Sequence, residues 1–142
     1  MKPLFVASML AAAVFSNAAA QAAEGADAIG VRDGVRYACT GVGSESREDP
    51  RWREFPAKLV FAGGDGGYLS RVTTRIADGQ GRTVFEIQDC GPWLLLDLPP
   101  GRYKAAVTAQ DGHGRSHDSE ASIAVGSAGQ AETVVRFPEI VD

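Results

Sequence analysis

The chain has 142 residues, with 14 basic and 18 acidic side chains and a net charge of −4 at pH 7. This length fits a single domain that buries one core. The acidic balance excludes the basic surface on which nucleic-acid binding depends, so we expect no nucleic-acid partner.

The N-terminus has the three parts of a secretory signal peptide. A positive start, Met1-Lys2, precedes an almost wholly apolar run at residues 4–15, and two small-x-small cleavage patterns follow at 18–20 and 20–22. This pattern predicts a signal peptide over residues 1–22 that is cleaved on export. The apolar run is too short to span a bilayer, so we expect no transmembrane segment after cleavage and a periplasmic or secreted location. The next residues, 23–33, are small and polar and predict a flexible leader.

Cys39 and Cys90 are the two cysteines of the chain. Exported proteins fold in an oxidising compartment, where an even number of cysteines favours disulfide formation. We therefore expect one Cys39–Cys90 bridge. An intermolecular pair and two free thiols remain the alternatives at this point, whereas two cysteines alone do not complete a tetrahedral metal site.

One segment, residues 44–55, has helical character. Pro50 follows Asp49 and suits the first position of a helix, and Trp52 and Phe55 are spaced to share one helical face. We expect one or two short helical turns over one end of a β-sandwich. Two interpretations stay open. The segment is either a core lid with solvated arginines or a basic–aromatic surface for an anion or a glycan, formed by Arg47, Arg51, Trp52 and Arg53.

The rest of the chain alternates short strands with glycine-rich turns. Strand patterns occur at 35–39, 58–62, 68–77, 82–88, 93–98, 103–110, 119–125 and 132–137. With no long amphipathic helix, they predict an all-β fold, a single antiparallel β-sandwich for which we expect about seven strands in total. The predicted domain spans residues 34–138 and is followed by a loose tail at 139–142.

The run Leu98-Pro-Pro-Gly-Arg-Tyr103 predicts a tight corner before an alternating strand, because its prolines lack amide donors and its glycine suits the turn. Four stretches precede this corner in the chain: Gly34-Val-Arg-Tyr, Lys58-Leu-Val-Phe-Ala, Arg75-Ile-Ala-Asp-Gly-Gln-Gly-Arg-Thr-Val and Gly91-Pro-Trp-Leu. Taken in chain order with the corner, they resemble the carboxypeptidase regulatory-like domains of small exported proteobacterial proteins. The resemblance covers residues 34–137. It implies a transthyretin-like or immunoglobulin-like sandwich and no established activity.

The two histidines, His113 and His117, lie with Asp111 and Asp118 at a turn and a strand start. They are candidate metal ligands, but a four-residue gap spans about 13 Å in a strand, so we interpret them as solvated turn residues and expect no cofactor.

Enzyme signatures are missing from the sequence. No Gly-x-Ser-x-Gly elbow is present. The zinc carboxypeptidases carry a separate catalytic domain, and the transthyretin-related hydrolases carry a Tyr-Arg-Gly-Ser terminus with catalytic histidines. The chain matches neither, and we expect that it is not an enzyme.

Three hypotheses about function follow. The favoured one is a non-enzymatic binding or accessory module of the cell envelope that contacts an envelope protein or polymer, since the fold class and the export signal support it. The second is a small-ligand or metal-binding protein that uses the His113/His117 region. The third is a hydrolase whose site the sequence does not reveal.

Overall fold

The computed structural model describes residues 27–141. The predicted signal peptide (1–22), the first part of the predicted leader (23–26) and the terminal Asp142 lie outside the described residues. Within the described part, nine strands form two sheets that pack as a β-sandwich.

The elements, in chain order, are β1 (Ile29–Arg32), β2 (Val35–Thr40), α1 (Ser44–Arg47), a 3-10 helix (Pro50–Glu54), β3 (Ala57–Gly63), β4 (Val72–Ala77), β5 (Thr83–Ile87), β6 (Trp93–Leu96), β7 (Gly101–Gln110), β8 (Ser116–Val125) and β9 (Ala131–Phe137). The five-stranded sheet has the order β1-β2-β6-β3-β9, and the four-stranded sheet has the order β5-β4-β7-β8.

The predicted fold class is confirmed, and each predicted strand segment contains a strand. The sandwich has nine strands, where about seven were expected, and two further features differ from expectation. β9 runs parallel to β3, whereas we expected antiparallel pairing. Alternation along a strand specifies which face is buried, and it does not specify the neighbouring strand. β1 is a further strand inside the predicted leader, and it returns into β2 through Asp33 and Gly34, whose φ angles are 54° and 79°.

The core lies between the two sheets and is filled by alternate positions of their strands. Val72 and Ile76 point inward from β4, as the alternation predicts, and both are fully buried. Phe85 of β5 packs on Tyr37 of β2 with ring centroids 5.5 Å apart, which joins one sheet to the other. Burying a side chain of this size contributes about 1.5–3 kcal/mol to folding, so such contacts hold the layers together.

β6 is buried on both faces of the five-stranded sheet. Leu94 and Leu96 face the core between the sheets. The opposite face carries a second apolar cluster that includes the segment after β2: Ala38, Trp52, Phe55, Val60, Trp93 and Leu95. Because both faces are covered, β6 has a continuous apolar run in place of alternation.

Side-chain hydrogen bonds to backbone carbonyls hold the covering segment, residues 44–55, in place. The indole Nε1 of Trp52 donates to the Ser46 carbonyl at 2.6 Å. The Gln130 side-chain amide donates to the carbonyls of Trp52 and Phe55 at 2.6 and 2.9 Å. The guanidinium of Arg36 lies 5.2 Å from the centre of the Phe55 ring. The segment is therefore an integral layer of the fold, as the core-lid interpretation predicts.

Cys39 and Cys90 form a disulfide, with their Cα atoms 5.3 Å apart. Cys39 lies in β2 of the five-stranded sheet, and the Cys90 amide donates to the Val72 carbonyl of the four-stranded sheet at 2.9 Å. The bridge therefore lies where the chain crosses from one sheet to the other. At the next residue, a Cβ on Gly91 would lie 2.5 Å from the Leu69 carbonyl oxygen, so the crossing requires glycine.

Side chains of the β1–β2 turn cover the free edge of β5. The Arg32 Nε donates to the Glu86 carbonyl at 2.7 Å, and Asp33 accepts the Glu86 amide at 3.2 Å. These contacts occupy backbone groups that an added strand would need. They also tie the first strand of one sheet to the edge of the other.

The segment after β9 is docked, which differs from the loose tail expected at 139–142. Ile140 is 2% exposed and belongs to the main core cluster. Its carbonyl accepts the Gly64 amide at 2.8 Å, and a Cβ on Gly64 would overlap the Pro138 carbonyl. Ile140 and Val141 are adjacent apolar residues in a short tail and show no periodic signal, so the pattern alone does not predict which of them is buried.

Breaking the disulfide is expected to lower the free energy of unfolding by about 4 kcal/mol, because the bridge closes a loop of 51 residues in the unfolded chain. Chemical denaturation with and without reductant, and of the Cys39→Ser/Cys90→Ser variant, measures the change. An unchanged midpoint under reduction would contradict the prediction.

Replacing Ile140 with alanine is expected to cost about 2–5 kcal/mol of unfolding free energy, because it leaves a cavity in the core. Val141, which is 66% exposed, provides the matched control, and Val141→Ala is expected to change stability by less than about 0.5 kcal/mol. Urea denaturation of both variants makes the comparison. Equal, small effects would show that the tail does not stabilise the fold.

Candidate functional site

The outer face of the four-stranded sheet has no covering segment within residues 27–141. Along β7 and β8 its outward side chains are short, polar or charged and mostly exposed: Arg102, Lys104, Ala106, Thr108, Gln110, Ser116, Asp118, Glu120, Ser122 and Ala124. The outer face of the five-stranded sheet differs, since Trp52 and Phe55 lie against it. The sandwich thus presents one open face, defined by these residues of β7 and β8.

A groove of about 550 Å³ lies at one end of the open face. Short side chains, the turn between β4 and β5, and two cations line it: Ala77, Asp78, Gly79, Gly81, Arg102, Lys104, Ser122 and Ala124. The strand register places Lys104 between Ala77 and Ser122, and Arg102 opposite Ala124. Short neighbours leave both cations uncovered. We call this hollow the cationic groove.

The charge of the cationic groove is not balanced within the described residues. Arg102 and Lys104 make no ion pair there. Asp78 also lines the groove, but its carboxylate accepts the amides of Arg82 and Gln80 at 3.0 and 2.9 Å and the Arg82 Nε at 3.1 Å. The Arg82 amide is the largest of the causes that lower the pKa of Asp78. Positive charge is therefore in excess here.

Tyr103 lies on the inward side of β7, beneath the groove. Its hydroxyl donates to the Pro99 carbonyl at 2.6 Å. Burial, and then the charge of Asp78, raise the pKa of Tyr103. The neutral phenol is therefore favoured, and it holds the Pro-Pro-Gly corner against the strand that carries the two cations.

A second hollow, of about 840 Å³, lies between the β1–β2 turn and β5 and is lined by acids. Two of its acids are paired with cations. Asp97 lies 3.7 Å from Arg36, and Glu86 lies 3.7 Å from Arg75. Asp33 accepts the Glu86 amide. This hollow therefore presents less uncompensated charge than the cationic groove.

The structure places three of the four residues of the predicted basic–aromatic surface, Arg47, Arg51 and Trp52, in intramolecular contacts. Trp52 is 3% exposed, and the Arg51 guanidinium lies 4.7 Å from the centre of its ring. The Arg51 Nη2 donates to the Asp49 carboxylate at 2.7 Å, which lowers the pKa of Asp49 and raises that of Arg51. Arg47 lies over the exposed ring of Tyr68 at 5.4 Å, and Arg53 is exposed. A binding role for these arginines stays a prediction.

The structure divides the predicted His–Asp cluster. His117 Nε2 hydrogen-bonds Asp111 at 2.9 Å, and its Nδ1 lies 3.9 Å from Glu139. Asp118 is the next residue along β8, so it points to the opposite face, where it accepts the Thr108 hydroxyl at 2.7 Å. His113 donates its backbone amide to Asp111 at 2.8 Å. Asp111 and His117 therefore meet, and Asp118 does not join them.

No group of three or more His, Cys, Asp or Glu side chains within residues 27–141 is placed to hold a metal ion. In the same part of the chain, none of the helices has the length and apolarity needed to cross a membrane.

Comparison of the chain with protein-family models, with curated proteins and with solved structures finds no match. The fold that can be stated is a small two-sheet β-sandwich with a Cys39–Cys90 disulfide.

Arg102 and Lys104 do not stand out in the sequence. The alternation of β7 places Lys104 on the face opposite the core, but an exposed cation on a strand is ordinary. Arg102 and Lys104 differ from other exposed cations because the strand register puts the short side chains of Ala77, Ser122 and Ala124 beside them. A usable signal would have been two cations spaced by two residues on a strand whose neighbours carry small side chains.

Protonation of Asp111 is expected to lower the free energy of unfolding as the pH drops below about 4. The His117 hydrogen bond, followed by the Arg115 amide, lowers its pKa from 3.8 to about 2. The unfolded chain therefore takes up the proton first, and the contribution present above pH 3.8 is lost as the pH falls toward 2. Thermal unfolding of wild type and Asp111→Asn should differ at pH 5 and converge near pH 2.

Asp118→Asn is the control, since it removes one negative charge from the adjoining strand and leaves the Asp111–His117 contact in place. A wild-type minus Asp111→Asn difference in melting temperature that stays constant from pH 5 to pH 2 would contradict this account of Asp111.

Proposed function

We propose that the protein is a non-enzymatic binding module of the cell envelope and that it contacts its partner through the open face. The observation that carries the proposal is the asymmetry of the sandwich. One sheet has Trp52 and Phe55 packed on its outer face, whereas β7 and β8 present an uncovered face with a groove at one end. A rigid sheet face with short side chains suits a contact surface, because a partner can approach the backbone closely.

The compartment and the family belong to the same proposal. The Cys39–Cys90 disulfide is typical of an oxidising compartment, which agrees with the predicted signal peptide and supports a periplasmic or secreted location. The two-sheet architecture is compatible with the resemblance to carboxypeptidase regulatory-like domains. We retain that resemblance as the working family hypothesis.

Two of the four sheet edges, β5 and β1, are poorly suited to a partner strand, whereas the other two, β8 and β9, are ten and seven residues long. Arg32 and Asp33 occupy the Glu86 backbone groups at the edge of β5. β1, at the edge of the other sheet, is four residues long. Strand addition needs a longer run of free backbone groups.

The second candidate function, ligand or metal binding at the His113/His117 turn, draws support from the Asp111–His117 pair alone. A protein hydrogen bond satisfies each of these groups, so the observation does not favour a ligand over a structural role. A melting screen with divalent metals separates this candidate from the open-face proposal.

Ala106 lies near the centre of the open face, where Arg75 and Glu120 flank it on the neighbouring strands. Ala106→Trp adds bulk without charge and is expected to reduce capture of envelope material by the immobilised protein. The reason is that the bulky ring prevents a flat partner from reaching the sheet. Binding is measured separately for the protein and the polysaccharide fractions of the envelope.

Val134→Trp is the matched control, because Val134 is 46% exposed on β9 and belongs to the outer face of the other sheet. Both variants are first checked for unchanged thermal unfolding. Retained capture by Ala106→Trp, or equal loss in both variants, would exclude the open face as the contact surface.

A further inference from the structure

We infer that the cationic groove binds the carboxylate or phosphate group of an acidic sugar unit in an envelope polysaccharide. The inference rests on the proposed function, since it specifies the ligand chemistry of the same open face. Arg102 and Lys104 are the residues that would contact the anion.

The spacing of the two cations matches one anionic group and its neighbours. Arg102 and Lys104 point to the same face of β7, about 7 Å apart along the strand. The planar guanidinium of Arg102 presents paired donors that fit two oxygens of a carboxylate or a phosphate. The ammonium of Lys104 adds a point charge beside it. Together they provide directional recognition and general attraction at one place.

The acids of the open face do not neutralise this end of the sheet. Asp78 is engaged by Arg82 and by two amides of its own turn. Asp118 accepts the Thr108 hydroxyl farther along the strands. Glu120 is opposite Ala106, one outward position away from Lys104, and forms no ion pair with it. An anion in the groove therefore meets excess positive charge on a chain of net charge −4.

The position of the groove favours a sugar over an extended acidic peptide. The groove lies on a sheet face, where the backbone groups of β7 already pair with β4 and β8. A peptide strand gains most of its affinity from free backbone groups at a sheet edge. The nearer edge of this sheet is the far side of β8, away from β7, so a ligand inside the groove is contacted by side chains. A sugar can use side chains alone, namely the two cations and the hydroxyl of Ser122. The volume of about 550 Å³ is in the range of small-ligand sites.

Chemical modification of Lys104 reports directly on whether an anion occupies the cationic groove. Residues 27–141 contain two lysines, and Lys58 is the other one. The Lys58 side chain is 13% exposed, with its Nζ 3.4 Å from the centre of the Trp93 ring, whereas Lys104 is exposed. An amine-reactive reagent should therefore modify Lys104 first in the folded domain. A bound anion should protect it.

The test measures binding of the purified protein to four soluble probes: polygalacturonate, phosphorylated dextran, unmodified dextran and polyglutamate. We expect at least one anionic polysaccharide to bind, to protect Lys104 from amine modification and to weaken as salt is added. The probe that binds distinguishes a carboxylate from a phosphate. Unmodified dextran is expected not to bind.

Arg102→Gln/Lys104→Gln is expected to weaken that binding by about tenfold or more, because two charge-assisted contacts are lost. Arg71→Gln/Arg136→Gln removes the same charge from exposed positions outside the groove and should change affinity by less than about twofold. Equal loss of affinity in the two double variants would show that binding depends on net charge alone and would overturn the inference. Polyglutamate binding with the same dependence on Arg102 and Lys104 would overturn the assignment to a polysaccharide.

Failure of this inference is distinguishable from failure of the proposed function. If no anionic polysaccharide binds while Ala106→Trp still abolishes capture of envelope material, the anion site is wrong and the open face stands. If Ala106→Trp retains full capture, the open face itself is wrong, and the inference falls with it.

Discussion

Burial of Trp93-Leu-Leu-Leu96 on both faces of its sheet is the constraint on which the rest of the structure depends. One face is covered by the second sheet, and the other must be covered by a separate segment, because exposed leucine and tryptophan would forfeit about 1.5–3 kcal/mol each. Residues 44–55 provide that cover through Trp52 and Phe55, and Gln130 fastens them from the β8–β9 connection. The asymmetry of the sandwich follows from this requirement.

The same asymmetry places the candidate site. The chain has one covering segment within the described residues, and it lies on the five-stranded sheet. The outer face of β7 and β8 needs no cover, since its side chains are short, polar or charged. The Cys39–Cys90 disulfide lies where the chain crosses between the sheets, and Ile140 docks the segment after β9 into the core between them. At one end of the open face, Arg102 and Lys104 make no ion pair within the described residues.

Much of the fold could be predicted because strand alternation and turn chemistry are local. The inward positions of Val72 and Ile76 and the helical turn after Asp49 follow from spacing alone. β1 carried a usable signal, because Asp33-Gly34 is a favoured two-residue hairpin turn, but its residues are too few and too mixed to show alternation. The parallel pairing of β9 with β3 had no local signal, since strand neighbours are decided by the whole sandwich.

The site was less predictable than the strands, because strand register and packing bring its residues together. Trp52 and the arginines near it stand out as a sequence cluster, yet the fold uses Trp52 as a lid. Arg102 and Lys104 gain their character from Ala77, Ser122 and Ala124, which lie on two other strands. Whether a charged side chain is left without an ion-pair partner depends on strand register and packing, which the local sequence does not specify.

The proposed function requires that the partner binds the open face. NMR chemical-shift mapping of the isotope-labelled protein, titrated with the polysaccharide fraction of the envelope and then with its protein fraction, locates the contact surface. We predict that the perturbed amides cluster in residues 77–81, 102–108 and 118–124. Perturbations centred on the covering segment 44–55, or on the Asp111–His117 turn, would contradict the account.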